Sequence, residues 1–284
     1  MRLLVTGARG MLGREVAAVA EARAHETIAL GHGDLDVTDE RDVRAVVAGE
    51  RPDAIVNCAA FTDVDGAEAA EPEALELNGR APGLLAAAAS ATAAQLIHVS
   101  TDYVFDGAAA RPYLESDPVR PQSAYGRSKL AGELAVRAAG PQHAVARTAW
   151  LFGTGGRNFV ATMLALADSG QEEVAVVTDQ VGSPTFAGHL ASALVDIAER
   201  RLAGVRHTAG AGACSWNELA RAAFAQAGLA CTVKAVTSDH FPRPAKRPAW
   251  SVLASERADT PRLPSWEDGL KAYLAETREG LPRR

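Results

Sequence analysis

The first thirteen residues, MRLLVTGARGMLG, constrain the fold more than any other stretch of the chain. Leu3, Leu4 and Val5 make a strand-length apolar run. Gly7, Gly10 and Gly13 follow at once in the spacing GxxGxxG, and helix-forming sequence through Leu12, Val16 and Val19 comes next. A strand that feeds a helix through such a turn has a physical use. Gly7 allows the tight turn, Gly10 lets a pyrophosphate approach the backbone, and Gly13 lets helix and strand pack closely. The unpaired N–H groups and partial positive charge at the helix N-terminus suit the same phosphates. No GK[ST] follows, which argues against a kinase-style phosphate loop.

The same alternation continues. Thr27 to Leu30, Ala54 to Asn57, Leu96 to Ser100 and His143 to Thr148 read as further strands. Between them, DVTDERDVRAVVAGE reads as a helix with Thr38 as its N-cap. The alanine-rich stretch from 73 to 93 reads as a helix that Pro82 should break or kink, and SAYGRSKLAGELAVRAA reads as another. Strands alternating with helices over short links predict a parallel sheet covered on both faces, wound both ways: an α/β, Rossmann-like domain over residues 1–149. After Trp150 the rhythm loosens, with helices expected from Asn158 to Ala167 and from Ala187 to Arg200 and prolines along the tail. Residues 150–284 therefore read mainly as a smaller substrate-binding domain, with about 182–204 returning to the first.

Formal charge is −6, so no basic surface recommends nucleic acid as a partner. The one compact basic run, RPAKR from Arg243 to Arg247, reads either as a solvated loop or as a grip for phosphate. No apolar run reaches the length of a membrane span. Gly7 arrives too soon after the start for a signal peptide's apolar stretch. Cys58, Cys214 and Cys231 are scattered, without CxxC or metal-ligand spacing, so a reducing cytoplasm fits and no metal site is expected.

Chemistry enters at YGRSK. Tyr125 and Lys129 stand four apart, on one face of a helix. Hydride reduction of a ketone leaves negative charge on oxygen, which a phenol can protonate. The phenol's ordinary pKa is about 10, and a neighbouring ammonium should pull it toward neutrality. Lys129 could also hold the ribose of a nicotinamide. About 25 residues earlier the fourth strand ends in STDYVFDG, where ligands bind in open α/β sheets. Thr101, chosen over Ser100, is the expected carbonyl-gripping hydroxyl. An acid after the second strand would favour NAD. The strand ends instead LGHGD, and Arg9 and His32 either face a 2′-phosphate or are solvated, so NADPH is expected with NADH as the alternative.

The GxxGxxG turn resembles that of the extended short-chain dehydrogenase/reductases. Nearly end to end, through TGARGMLG, LDVTD, PDAIVNCAAFTDVDGAE, STDYVFDG, YGRSK, RTAWLFG, NFVATML, DQVGSPT and RPAWSVL, the chain resembles the dTDP-4-dehydrorhamnose reductase family. The resemblance implies that Gly10, Met11 and Leu12 contact the pyrophosphate. Asp36 and Val37 would contact the adenine side, although Asp36 also reads as a helix-start residue. Ala60, Phe61 and Thr62 would contact the middle of the dinucleotide. Thr101 and Asp102 would meet the sugar, Tyr125 would donate the proton and Lys129 would be its partner. Trp150 would pack on the deoxysugar, with a core tryptophan as the other reading. Asn158 and the RPAKR loop would reach the nucleotide, with Arg243 or Arg247 near a phosphate. The implied reaction is NAD(P)H-dependent reduction of the C4 ketone of dTDP-4-dehydro-L-rhamnose. A homodimer is compatible with the resemblance. Some members carry Mg²⁺ at a dimer contact, for which no acidic cluster is visible here.

Three other readings compete. A nucleotide-sugar 4,6-dehydratase would keep a second acid where Tyr103 stands. A 4-ketoreductase for another dTDP-4-keto-6-deoxysugar would share every catalytic group. A non-catalytic subunit resembling the regulatory subunit of methionine adenosyltransferase would not need Thr101, Tyr125 and Lys129 together.

Overall fold

In the computed structural model, which describes residues 1–279, one parallel sheet of six strands organises the chain. Its strands are β1 (Arg2–Thr6), β2 (Glu26–Leu30), β3 (Ala54–Asn57), β4 (Gln95–Thr101), β5 (Ala144–Thr148) and a sixth, Gly204–His207. From one edge to the other the order is Gly204–His207, β5, β4, β3, β1, β2. The chain leaves β1 for β2 on one side and returns to β3 on the other. The crevice beyond the carboxyl ends of β1 and β3 is thus the switch point where such sheets take ligands.

Side-chain alternation along each strand builds the two flanking cores. Leu3 and Val5 face helix α1 (Met11–Ala22) and the helix Ala187–Glu199, packing with Val16, Leu190, Leu194 and Ile197. Leu4, on the other face, packs with Ile55, Leu85 and Val145 beneath α2 (Glu40–Glu50) and the helix Ala81–Ala91. Fully burying each such side chain stabilises by about 1.5–3 kcal/mol. The sixth strand has no clear mark in the sequence pattern. It follows the helix Ala187–Glu199 and pairs in parallel with β5, Val205 opposite Val145.

Two local points take a definite form. The irregularity expected at Pro82 is a π turn, Glu76–Arg80, which interrupts the α-helical ladder between Glu71–Leu75 and Ala81–Ala91 and leaves Pro82 in the first turn of the latter, where its missing N–H costs little. The cap of α2 is Asp39, not Thr38. Asp39 accepts from Arg41 N and Asp42 N, while Thr38 gives its own N–H and hydroxyl to Asp36.

Beyond Trp150 a second core gathers Phe152, Phe186, Leu219, Leu270 and Tyr273. It carries the helices Phe159–Asp168 and Trp216–Ala227 and the parallel pair Glu173–Val177 with Thr232–Val236. Among the described residues, no helix is long and apolar enough to cross a membrane.

Candidate active site

The glycine turn closes against β3. Gly7 has φ +64°, and a Cβ there would come within 2.6 Å of Ala59 N. A Cβ on Gly13 would lie 2.3 Å from Gly7 O. Only glycine satisfies either position. Gly10 caps α1 without any side-chain bond, and the first turn holds no acid. The N–H groups of Met11 and Leu12 thus begin a helix whose positive end is uncompensated by side chains. The Met11 side chain is turned away, against Gly153 and Gly156.

Arg9 lies across Gly31 at the end of β2 and pairs with Asp34 at 3.0 Å, with three quarters of its side chain exposed. Such a pair is worth at most about 1 kcal/mol and yields readily to a better anion. His32 is exposed beside it. Asp36 spends its carboxylate on Thr38, whose hydroxyl and N–H hold it below the usual range, and Val37 is buried in the sheet's core. Asp36 is thus a loop-forming residue by its contacts. Ala60, Phe61 and Thr62 lie in the loop that follows β3. Asn78, in the π turn, pins Phe61 in both directions, accepting from its N–H at 2.8 Å and donating to its carbonyl at 3.0 Å.

At the end of β4, alternation sends neighbouring hydroxyls opposite ways. Ser100 Oγ donates into the buried Glu133–Arg147 ion pair. The Thr101 hydroxyl donates to Asp102 Oδ1 at 2.9 Å and accepts from Tyr103 N, and Thr101 lies near enough to Tyr125 to favour the ionised phenol slightly. The helix Ala124–Ala139 that carries Tyr125 is capped by Ser123, and the Tyr103 ring meets Tyr125 edge-on at 5.5 Å. Asp102 is buried, with Oδ2 lacking a partner, and burial raises its carboxyl to about 6, against opposing pulls from Ser251 and Thr101.

The expected acidification of Tyr125 is overturned. Burial and the Asp102 carboxylate push the phenol up to about 12. Lys129 does share its helix face, but its Nζ docks on Val99 O at 2.6 Å and beside His98 Nε2 at 3.5 Å. Burial there lowers the amine to about 8. The lysine's charge is spent on the sheet, not on the phenol.

Toward the C-terminal half, Trp150 has φ +46° and stacks on Trp216 at 3.5 Å, nearly parallel, so one face of the expected sugar plate is already covered. Asn158 does not reach outward. Its Oδ1 caps the helix Phe159–Asp168 at Ala161 N, and its Nδ2 donates to the carbonyls of Gly153 and Gly156. Arg247 pairs with Asp65 at 2.8 Å and Arg243 with the same oxygen at 3.6 Å. Both arginines line a cleft of about 380 Å³ walled by Phe159, Met163, Val176 and Trp216. Among the described residues, no group of three or more His, Cys, Asp or Glu could hold a metal ion.

The family model described as the RmlD substrate binding domain matches residues 1–279. A dTDP-4-dehydrorhamnose reductase of Mycolicibacterium smegmatis is 45% identical, over 96% of this chain and 85% of that protein. The chain belongs to the dTDP-4-dehydrorhamnose reductase family. A Streptomyces antibioticus relative, named a probable dTDP-4,6-dihydroxy-2-methyloxan-3-one 4-ketoreductase, is also 45% identical, over 90% of this chain and 88% of its own. The solved structure of the Bacillus anthracis dTDP-4-dehydrorhamnose reductase in complex with NADP superposes with a TM-score of 0.94 at 34% identity, covering 97% of this chain and 99% of that one.

Within this member of the family, the residues that sequence reasoning missed are mostly buried and polar: Asn57, Asn78 and His98. Their signal was available as polar residues at the ends of apolar strands or inside an alanine-rich helix. Trp216 and Asp65 carried no such mark, because only the folded chain brings them to Trp150 and Arg247.

Proposed function

We propose that the protein reduces the C4 ketone of dTDP-4-dehydro-L-rhamnose to dTDP-L-rhamnose, with NADPH as reductant. The observation that carries the reading is that Thr101, at the carboxyl end of β4, and Tyr125, at the start of the helix Ala124–Ala139, are close enough to influence each other's charge, in a fold whose glycine turn follows β1. The site residues fit the cofactor: a cradle at Gly7 and Gly13 that a Cβ would fill, an open helix N-terminus for the pyrophosphate, and Arg9 with His32 for a 2′-phosphate. NADPH, when bound, supplies the hydride.

The protein's part is to hold the ketone and manage the proton. Thr101 and Tyr125 take the carbonyl oxygen, stabilising charge as it develops there. Tyr125 then gives its proton. A phenol at about 12 is fully protonated at neutral pH, and an alkoxide is the stronger base, so the transfer runs downhill without prior acidification. Lys129 is assigned to the nicotinamide ribose. Asp102, whose free Oδ2 can accept, is assigned to a sugar hydroxyl, and Trp150 to the apolar face of the deoxysugar. Arg243 and Arg247 are assigned to the diphosphate, which would take them from Asp65.

A second reading, a 4-ketoreductase for another dTDP-4-keto-6-deoxysugar, is favoured by the Streptomyces antibioticus relative at equal identity. The test supplies purified chain with dTDP-4-dehydro-L-rhamnose and follows oxidation of NADPH and, in parallel, NADH. Turnover with NADPH that falls about 10²–10⁴-fold in Tyr125→Phe supports the assignment. Turnover only with a stereoisomeric keto-sugar selects the second reading. No turnover with any of them removes both.

A further inference from the structure

Asp65 carries a carboxylate that its own neighbours in the chain do not use. It precedes the short helix Gly66–Ala69 but makes no side-chain cap there, and the N–H of Gly66 goes to Asp63 at 2.9 Å instead. The Asp65 carboxylate reaches across the fold to the strap Arg243–Arg247. Its Oδ2 takes Arg247 at 2.8 Å and Arg243 at 3.6 Å, and its Oδ1 accepts from Ala245 N at 3.2 Å. Ala245 is itself buried. The far end of the contact is also held, since Asp65 belongs to the loop whose Phe61 is pinned by Asn78.

Two guanidinium groups on one carboxylate oxygen leave positive charge in excess, and Arg247 Nη1 is buried without a hydrogen-bond partner. A diphosphate offers two linked anionic groups, each able to meet a guanidinium fork. Both arginines line the apolar cleft already described. We propose that Asp65 is a placeholder for that diphosphate: it latches the strap Arg243–Arg247 in the free chain and gives up both arginines when a nucleoside diphosphate seats. The inference rests on the proposed reductase reading, which puts the substrate's diphosphate at these arginines.

The latch has a sign that separates it from other roles. A contact made only in the free state weakens binding by the factor with which it depopulates the competent, unlatched state. Removing it therefore tightens binding. Removing a residue that touches the ligand, or that supports the bound site, does the opposite. The two side chains of the closer pair are 23% and 21% exposed, so water screens them in part and a factor of about five is expected. The same factor should govern how often the strap opens in the free chain, because both events start from the unlatched population.

The test compares the full chain with Asp65→Asn, which keeps the side chain's shape and an acceptor for Ala245 N–H but removes the charge. Thymidine diphosphate is the probe, titrated by calorimetry. The variant should bind it about fivefold more tightly. Strap opening is read without ligand or turnover, by limited trypsin digestion. Within RPAKRP a following proline shields Arg243 and Arg247, which leaves the exposed Lys246 as the strap's one cleavable bond. Cutting there should be faster in Asp65→Asn by a similar factor. Equal or weaker binding of thymidine diphosphate by the variant overturns the proposal, and so does an unchanged rate of cutting at Lys246. Asp65→Ser, with the same two expected signs, serves if the Asn chain does not fold. Both signs found in a chain that reduces no keto-sugar would support the latch and remove the proposed reaction. Unaltered binding in a chain that does reduce it would overturn the latch and leave the reaction standing.

Discussion

Replacing Arg147 with Met tests whether the catalytic strand end is held by a charge pair. Arg147 on β5 binds Glu133 through Nε at 2.9 Å and a second N–H at 2.6 Å, and the side chains are 3% and 1% exposed. Ser100, next to Thr101, donates to the same carboxylate at 2.5 Å. Arg147→Met keeps most of the apolar stem and strands the carboxylate with one hydroxyl in a site water does not reach. Removing one partner of such a pair costs about 3–5 kcal/mol, against a total stability of roughly 5–15 kcal/mol. Glu133→Leu strands the guanidinium instead. The Phe105 ring, 5.1 Å away, is present in parent and variant alike and leaves that loss unchanged. The double variant buries no charge, so it should lose about 3 kcal/mol or more less than the two single losses together. Urea unfolding of the four proteins measures this, read from midpoints at unchanged slope. Single losses under about 1 kcal/mol, or losses that simply add, would refute the reasoning.

Three further outcomes are expected. Gly7→Ala, which needs φ +64° and a Cβ 2.6 Å from Ala59 N, should cost more than about 1 kcal/mol and weaken NADPH binding in calorimetry; unchanged affinity would count against the cradle. Asp102→Asn should be more stable than the parent at neutral pH but less active. Burial lifts the carboxyl from 3.8 to about 6, so the folded chain loses stability as pH rises through that window, by at most about 3 kcal/mol. The variant's advantage should accordingly grow between those pH values and level off above them, and thermal melts at a series of pH values check it. Arg9→Ala should raise KM for NADPH about tenfold and leave that for NADH alone, with stability changed by less than about 1 kcal/mol because the Asp34 pair is exposed.

What was legible in the sequence was periodic or steric. Leu3, Leu4 and Val5 announce a strand buried on both faces, and the three glycines announce a turn that tolerates no Cβ. Both statements concern a residue and its near neighbours in the chain. The strand Gly204–His207 is not legible because GVRH carries two polar residues. They are buried by distant partners, Arg206 by Asp259 and His207 by the carbonyls of Tyr113 and Ala254. The resemblance points Asn158 at the nucleotide, yet Asn before an apolar run is also an N-cap, and the local bond to Ala161 N–H decides.

Tyr125 and Lys129 show where that kind of reading ends. Spacing of four places two side chains on one helix face, but it says nothing of what the opposing element offers them. Here β4 presents Val99 O and His98 to the lysine, while Thr101 at its end and Asp102 in the turn after it act on the tyrosine. The ammonium goes to the carbonyl and the phenol is acted on by burial, Asp102 and Thr101, so the two ionisations are set by separate neighbours rather than by each other. A reductase can work with that division. Its acid needs to be protonated at neutral pH, which a desolvated phenol is, and its lysine needs an N–H to spare for a ligand, which an amine bonded on one side to Val99 O retains.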